Sequence, residues 1–114
     1  MNIKISKPFA KNLKNQIEFA KSGIVSKTLL DTDELKYILF CLEKGQRLSK
    51  HSAPFAAGIV VIKGKGKFVL GDKNFTGNTG SFFHMPPKLP HSILAIEDLV
   101  FFLVMAKGIK KARS

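Results

Sequence analysis

Short apolar runs recur along this chain, and glycine-rich or Asp/Asn-rich turns separate them. Residues 23–30 collect branched and apolar side chains ahead of the polar turn Asp31-Thr32-Asp33-Glu34. In residues 35–42, Tyr37 and Leu39 fall on one face and Ile38 and Phe40 on the other. That period of two is the mark of a strand. Residues 47–51 read as a short strand. Ala57-Gly58-Ile59-Val60-Val61-Ile62 is a continuous apolar run, which predicts a strand buried on both faces. The turn Lys63-Gly64-Lys65-Gly66 then fits a tight hairpin connection, with glycine supplying positive φ. Residues 67–70, 74–76, 81–85, 91–96 and 99–106 complete the set. About nine short strands at spacings of roughly eight to twelve residues, with no long helix, predict an all-β sandwich or barrel.

The first twenty residues are less regular. Phe9, Leu13, Ile17 and Ala20 recur at helical spacing. A short helix fits, and so does an extended segment lying along a barrel or a partner subunit. The chain divides into an N-terminal arm (1–22), a barrel (23–106) and a basic tail (107–114). Within the barrel, residues 45–91 read as two similar hairpins in a row. Each opens with a glycine and carries histidine beside a proline-bearing turn. All three histidines, His51, His84 and His91, lie in this stretch, and candidate chemistry lies with them.

Composition narrows the functional classes. A chain of 114 residues, 45% of them hydrophobic, supports one globular domain with its own core. Cys41 is the only cysteine, so no intrachain disulfide forms, and its apolar neighbours mark it as a small core residue. No apolar run approaches the roughly 18 residues of a membrane helix, and no apolar leader run follows Lys4 and Lys7. The expectation is a cytoplasmic protein without membrane insertion. The net charge of +11 comes from 19 basic and 8 acidic residues spread along the chain. Such a surface attracts nucleic acid or anionic glycan. The aromatics, however, sit in strand patterns rather than among the lysines, unlike a stacking platform for single strands. A solvated, lysine-rich surface is preferred, and binding of an anionic polymer is a secondary reading.

Two motifs sharpen the picture. Gly45, five residues, then His51 match the start of G-x5-H-x-H-x3,4-E-x6-G, and Gly64 falls at its closing glycine. Gly80, five residues, then Pro86 match G-x5-P-x-G-x2-H-x3-N, and His91 falls in the histidine slot. In these respects the sequence resembles the small single-domain cupins across residues 35–105. The resemblance implies a double-stranded β-helix (jelly-roll) barrel. It also implies a homodimer paired through sheet edges and N-terminal segments. The family's usual metal site takes two histidines and a glutamate from the first motif and one histidine from the second. This chain keeps His51 and His91, but Ala53 fills the second histidine slot and Ala57 (Gly58 at the longer spacing) the glutamate slot. Lys88 stands in the glycine slot and Ala95 in the asparagine slot.

His51 and His91 are therefore the candidate ligand-binding or metal-binding residues. His84 joins them as a third metal donor if strands 81–85 and 91–96 are neighbours. Tyr37, Phe55, Phe82, Met85 and Phe101 are core candidates, some of which line the pocket. Two functions follow. One is a binding module that holds a small polar or anionic ligand without catalysis. The other is a metal-dependent dioxygenase or isomerase holding Fe, Mn, Ni or Zn. No catalytic residue can be named. Neither motif carries a carboxylate, which leaves no candidates for paired-carboxylate catalysis. Gly64-Lys65-Gly66 lacks the Gly-Lys-Ser/Thr ending of a phosphate loop.

Overall fold

The computed structural model describes residues 7–108. Residues 1–6 and 109–114 lie outside the described residues, and with them Lys110, Lys111 and Arg113 of the basic tail. Among the described residues, nine strands follow one short helical turn: β1 (Val25–Asp31), β2 (Leu35–Leu42), β3 (Arg47–His51), β4 (Ala56–Lys63), β5 (Lys65–Leu70), β6 (Lys73–Asn78), β7 (Phe82–Met85), β8 (His91–Ala95) and β9 (Leu99–Ala106). They form a five-stranded sheet, β1-β2-β9-β4-β7, and a four-stranded sheet, β3-β8-β5-β6. All named pairings are antiparallel. The fold is all-β, two sheets face to face in a jelly-roll barrel.

Pairing follows long connections rather than chain order. Only β1 with β2 and β5 with β6 pair with their immediate successors. The stretch 45–91 is consequently not two hairpins in a row. β3 pairs with β8, and β4 pairs with β9 and β7. The Lys63–Gly66 turn is not a hairpin connection either, because β4 and β5 belong to different sheets. Gly64 makes this corner at φ +90°, and a Cβ there would collide with the carbonyl oxygen of Asp98. Only glycine allows both that dihedral and that approach.

The core follows from the pleat. Ile38, Leu42, Ile59, Val61, Phe83, Leu99, Phe101 and Leu103 point inward from the larger sheet. Phe68, Leu70, Ile93 and Ala95 meet them from the smaller one. Phe68 stacks on Phe83 with ring centroids 4.4 Å apart and meets Phe101 edge-on at 5.9 Å. Each such large side chain contributes about 1.5–3 kcal/mol by burial.

The outer face of the larger sheet is also apolar, and the arm covers part of it. Leu39, Cys41 and Val100 are fully buried there, packed against Ile17 and Phe19. Helical spacing in the arm yields only a 3-10 turn, Leu13–Gln16, whose first turn is capped by Asn12 Oδ1 accepting from Lys14 N–H. Gln46 Nε2 donates to the Ala20 carbonyl at 2.9 Å and pins the end of the arm. Among the described residues the cover over β4 is incomplete. In β4 the inward Ala57, Ile59 and Val61 are buried, whereas Gly58, Val60 and Ile62 are only half-buried. The expected burial on both faces holds for one face. Among the described residues no helix is long and apolar enough to cross a membrane.

Candidate functional site

One end of the barrel interior holds a cavity of about 90 Å³ with His51 and His91 on its wall. The two histidines are far apart in the chain and meet because β3 and β8 place them in register. Their ring centroids are 4.3 Å apart at an interplanar angle of 60°. Both rings are held the same way. His51 Nδ1–H donates to the Ser49 carbonyl at 2.8 Å, and His91 Nδ1–H donates to the Leu89 carbonyl at 2.9 Å. A carbonyl only accepts, so in each neutral ring the proton sits on Nδ1. Nε2 is left as the nitrogen available to a ligand, with its lone pair outward from the ring.

The turn before His91 supports this arrangement. It carries the chain from β7 in one sheet to β8 in the other. Lys88 N–H donates to the Ala53 carbonyl at 2.7 Å, which ties this turn to the one following His51. Lys88 adopts φ +68°, the only positive φ of a non-glycine residue among those described. That is the position where the motif carries glycine, and the left-handed conformation costs a side chain about 1–2 kcal/mol.

His91 is the one buried polar side chain in the core among the described residues, at 8% exposure. Burial pushes its pKa below the ordinary imidazole value, and the neighbouring His51 adds to the effect. The hydrogen bond to the Leu89 carbonyl works the other way and does not overcome burial. Away from the histidines the wall is apolar. Phe40, Phe55 and Leu103 line it, with Met85 and Met105. Ala53 and Ala57, which fill the slots of the missing histidine and glutamate, also face the cavity. The space is therefore what remains where larger ligating side chains would project.

The structure brings together His51, His91, Phe55 and Met85 of the residues expected at the pocket. The others lie elsewhere. Phe101 is fully buried behind the wall, stacked on Phe40 at 4.9 Å. Tyr37 lies on the outer face against Phe102 at 5.9 Å. Phe82 also points outward and is 68% exposed. His84 stands opposite Gly58 on that same outer groove. The reason is parity: Phe83 and Met85 point inward, so Phe82 and His84 cannot. Moreover β7 and β8 are not neighbours but members of different sheets. Phe40, Leu103 and Met105 are wall residues that no motif in the sequence marks. Phe101 shares the parity of the last two in β9, and counting by two from it reaches Leu103 and Met105.

The donor set does not fit the divalent metals of the family. Among the described residues no group of three or more His, Cys, Asp or Glu side chains is placed to hold an ion. Two imidazoles remain with no carboxylate on the cavity wall. Sites for such metals usually take at least three protein ligands, and two imidazoles fall short of that.

The two packed antiparallel sheets, with a small cavity inside one end, define a jelly-roll domain. A family model described as a cupin domain matches residues 38–105, more than half of the chain, and the protein belongs to the cupin family. Comparison with curated proteins returns no match. Among solved structures, a conserved protein of unknown function from Streptococcus pyogenes is 25% identical, with 92% of each chain covered and a TM-score of 0.81. An RmlC-like cupin from Desulfovibrio desulfuricans is 26% identical over 90% of this chain and 100% of the other, with a TM-score of 0.81. A mutant salicylate 1,2-dioxygenase from Pseudoaminobacter salicylatoxidans is 16% identical over 82% of this chain and 29% of its own, with a TM-score of 0.70. At that identity the likeness is one of fold alone.

Proposed function

We propose that this protein is a binding module that holds a small organic acid in the barrel cavity, without catalysing a reaction on it. The observation that carries this reading is the pair of imidazoles with both Nδ1 positions fixed to backbone carbonyls. A carboxylic acid entering between the two Nε2 atoms gives its proton to one of them, and that Nε2–H then donates back to the carboxylate. The second Nε2, which carries only a lone pair, donates to the other oxygen once it has taken a proton from solvent. The short apolar body of the ligand rests on Phe40, Phe55 and Leu103. The cavity is smaller than the roughly 150 Å³ that accommodates benzene in an engineered core, which limits the enclosed part to a few heavy atoms. The polar or anionic ligand expected from sequence is thus narrowed to a molecule with one acidic end and an apolar remainder. Cys41 stays a buried free thiol, which suits the reducing cytoplasm.

A second copy of the chain is the partner this reading includes. The exposed Phe82, the half-buried Val104 and Gly58 form an apolar groove on the outer face. It lies beside β7, an edge strand of the larger sheet. Open apolar edges of this kind favour pairing.

Butyrate tests the pocket. Titrated by calorimetry at pH 6.5, it binds the wild-type protein with one site per chain. His51→Ala and His91→Gln each lose that binding, and His84→Gln keeps it. Equal binding by wild type and His51→Ala would remove the reading.

A further inference from the structure

The cavity wall holds two chemically distinct pairs of donors. One pair is His51 and His91. The other is Met85 and Met105, which lie on β7 and β9 on either side of Ala57 in β4. Ala57 is paired in register with Met85 on one side and with Met105 on the other. With strands about 4.8 Å apart, the two methionine backbones stand about 10 Å from each other across an alanine. The short Ala57 side chain leaves the space over it to the two thioethers. The protein has only three methionines and three histidines, and two of each line this one small cavity.

We propose that this cavity binds a cuprous ion through His51 Nε2, His91 Nε2 and the thioether sulfurs of Met85 and Met105. Three features of the site favour that ion. The donors are two imidazole nitrogens and two neutral sulfurs, and thioethers select soft Cu(I) over harder divalent metals. The imidazoles are oriented as metal ligands are: each gives its other ring N–H to a backbone carbonyl, which fixes the tautomer and aims Nε2. Finally, the wall carries no anionic side chain. The cost of moving an ion into such surroundings grows with the square of its charge, so a monovalent ion meets about a quarter of the penalty of a divalent one.

The site does not depend on the organic-acid reading, although both use the same two imidazoles. Cu(I) itself is the probe. Tag-free protein is titrated with Cu(I) under anaerobic conditions against a chromophoric cuprous chelator, and the loaded protein is studied by X-ray absorption at the copper edge. One equivalent of copper is expected, with both nitrogen and sulfur in its shell. Met85→Leu and Met105→Leu conserve side-chain volume and are checked for folding by circular dichroism. Each is expected to weaken Cu(I) by roughly tenfold or more and to reduce the sulfur contribution. Loss of all copper to the chelator overturns the proposal. So does a shell of nitrogen and oxygen alone that the two leucine variants leave unchanged. Butyrate binding measured on the same samples separates the two readings: copper failing while butyrate still binds removes only the copper site.

Discussion

The two faces of the larger sheet where β7, β4 and β9 run side by side have much the same chemistry and different fates. Both are mainly apolar, and both carry histidine or lie close to it. Inside, Met85, Ala57 and Met105 form one row under the opposing sheet, which delivers His51 and His91 with both rings fixed. Outside, His84, Gly58 and Val104 form the adjoining row, one residue away in each strand, with Phe82 open to solvent. His84 lies next to Met85 in sequence and closer to the second motif's proline than His91 does. It nevertheless belongs to a different surface. Side-chain parity, not proximity along the chain, decides which histidine can act on a ligand.

The largest effects should separate the faces by stability. Phe101→Ala empties a fully buried site and is expected to cost about 3–5 kcal/mol. Phe82→Ser, on the open face, should stay within about 0.5 kcal/mol for the monomer. Urea unfolding at low protein concentration measures both, and similar losses would dissolve the distinction. Next in size is assembly. Phe82→Asp places a charge in the outer groove and should convert a dimer to a monomer in sedimentation velocity while butyrate binding survives. A wild-type protein that is already monomeric at high concentration contradicts the outer-face partner.

The smallest effect concerns pH. Burial lowers the pKa of His91 in the folded protein, while the unfolded chain keeps an ordinary value of about 6.5. Above that value both states are neutral at His91 and it contributes no pH dependence. As pH falls below it, the unfolded chain takes up the proton first, so His91 makes stability decline. The decline ends once pH passes below the folded value. Melting temperatures followed from about pH 7.5 to about pH 5 should fall more steeply for wild type than for His91→Gln. Parallel curves would show that His91 is not buried as described.

Much of this arrangement is readable in the sequence, for local reasons. Strands such as 35–42 and 99–106 announce themselves because alternation and β-branching act over neighbouring residues. Gly64 and Gly80 mark real turns, and both adopt positive φ. Partner choice is a different matter. Nothing local in Ser81 to Met85 says that it pairs with β4 rather than with the strand that follows it, so His84 can be brought beside His91 on paper. The Lys63–Gly66 turn looks like a hairpin because a sheet-to-sheet corner uses the same glycine chemistry. Met105 is silent in the sequence because a methionine at a strand end has no motif, and its role depends on Ala57 being small across the pair. Ala53 and Ala57 are legible as missing ligands. That they jointly open a cavity becomes visible only with the second sheet in place.

The central claim is that His51 and His91, and not His84, present their Nε2 atoms to an acid in the barrel. Long-range proton–nitrogen NMR of the three imidazoles during a butyrate titration tests it most directly. The account predicts Nδ1-protonated His51 and His91 in the free protein near neutral pH, saturable shifts at both Nε2 resonances, and no change at His84. Butyrate-dependent shifts confined to His84, or Nε2-protonated tautomers at both cavity histidines, would contradict it.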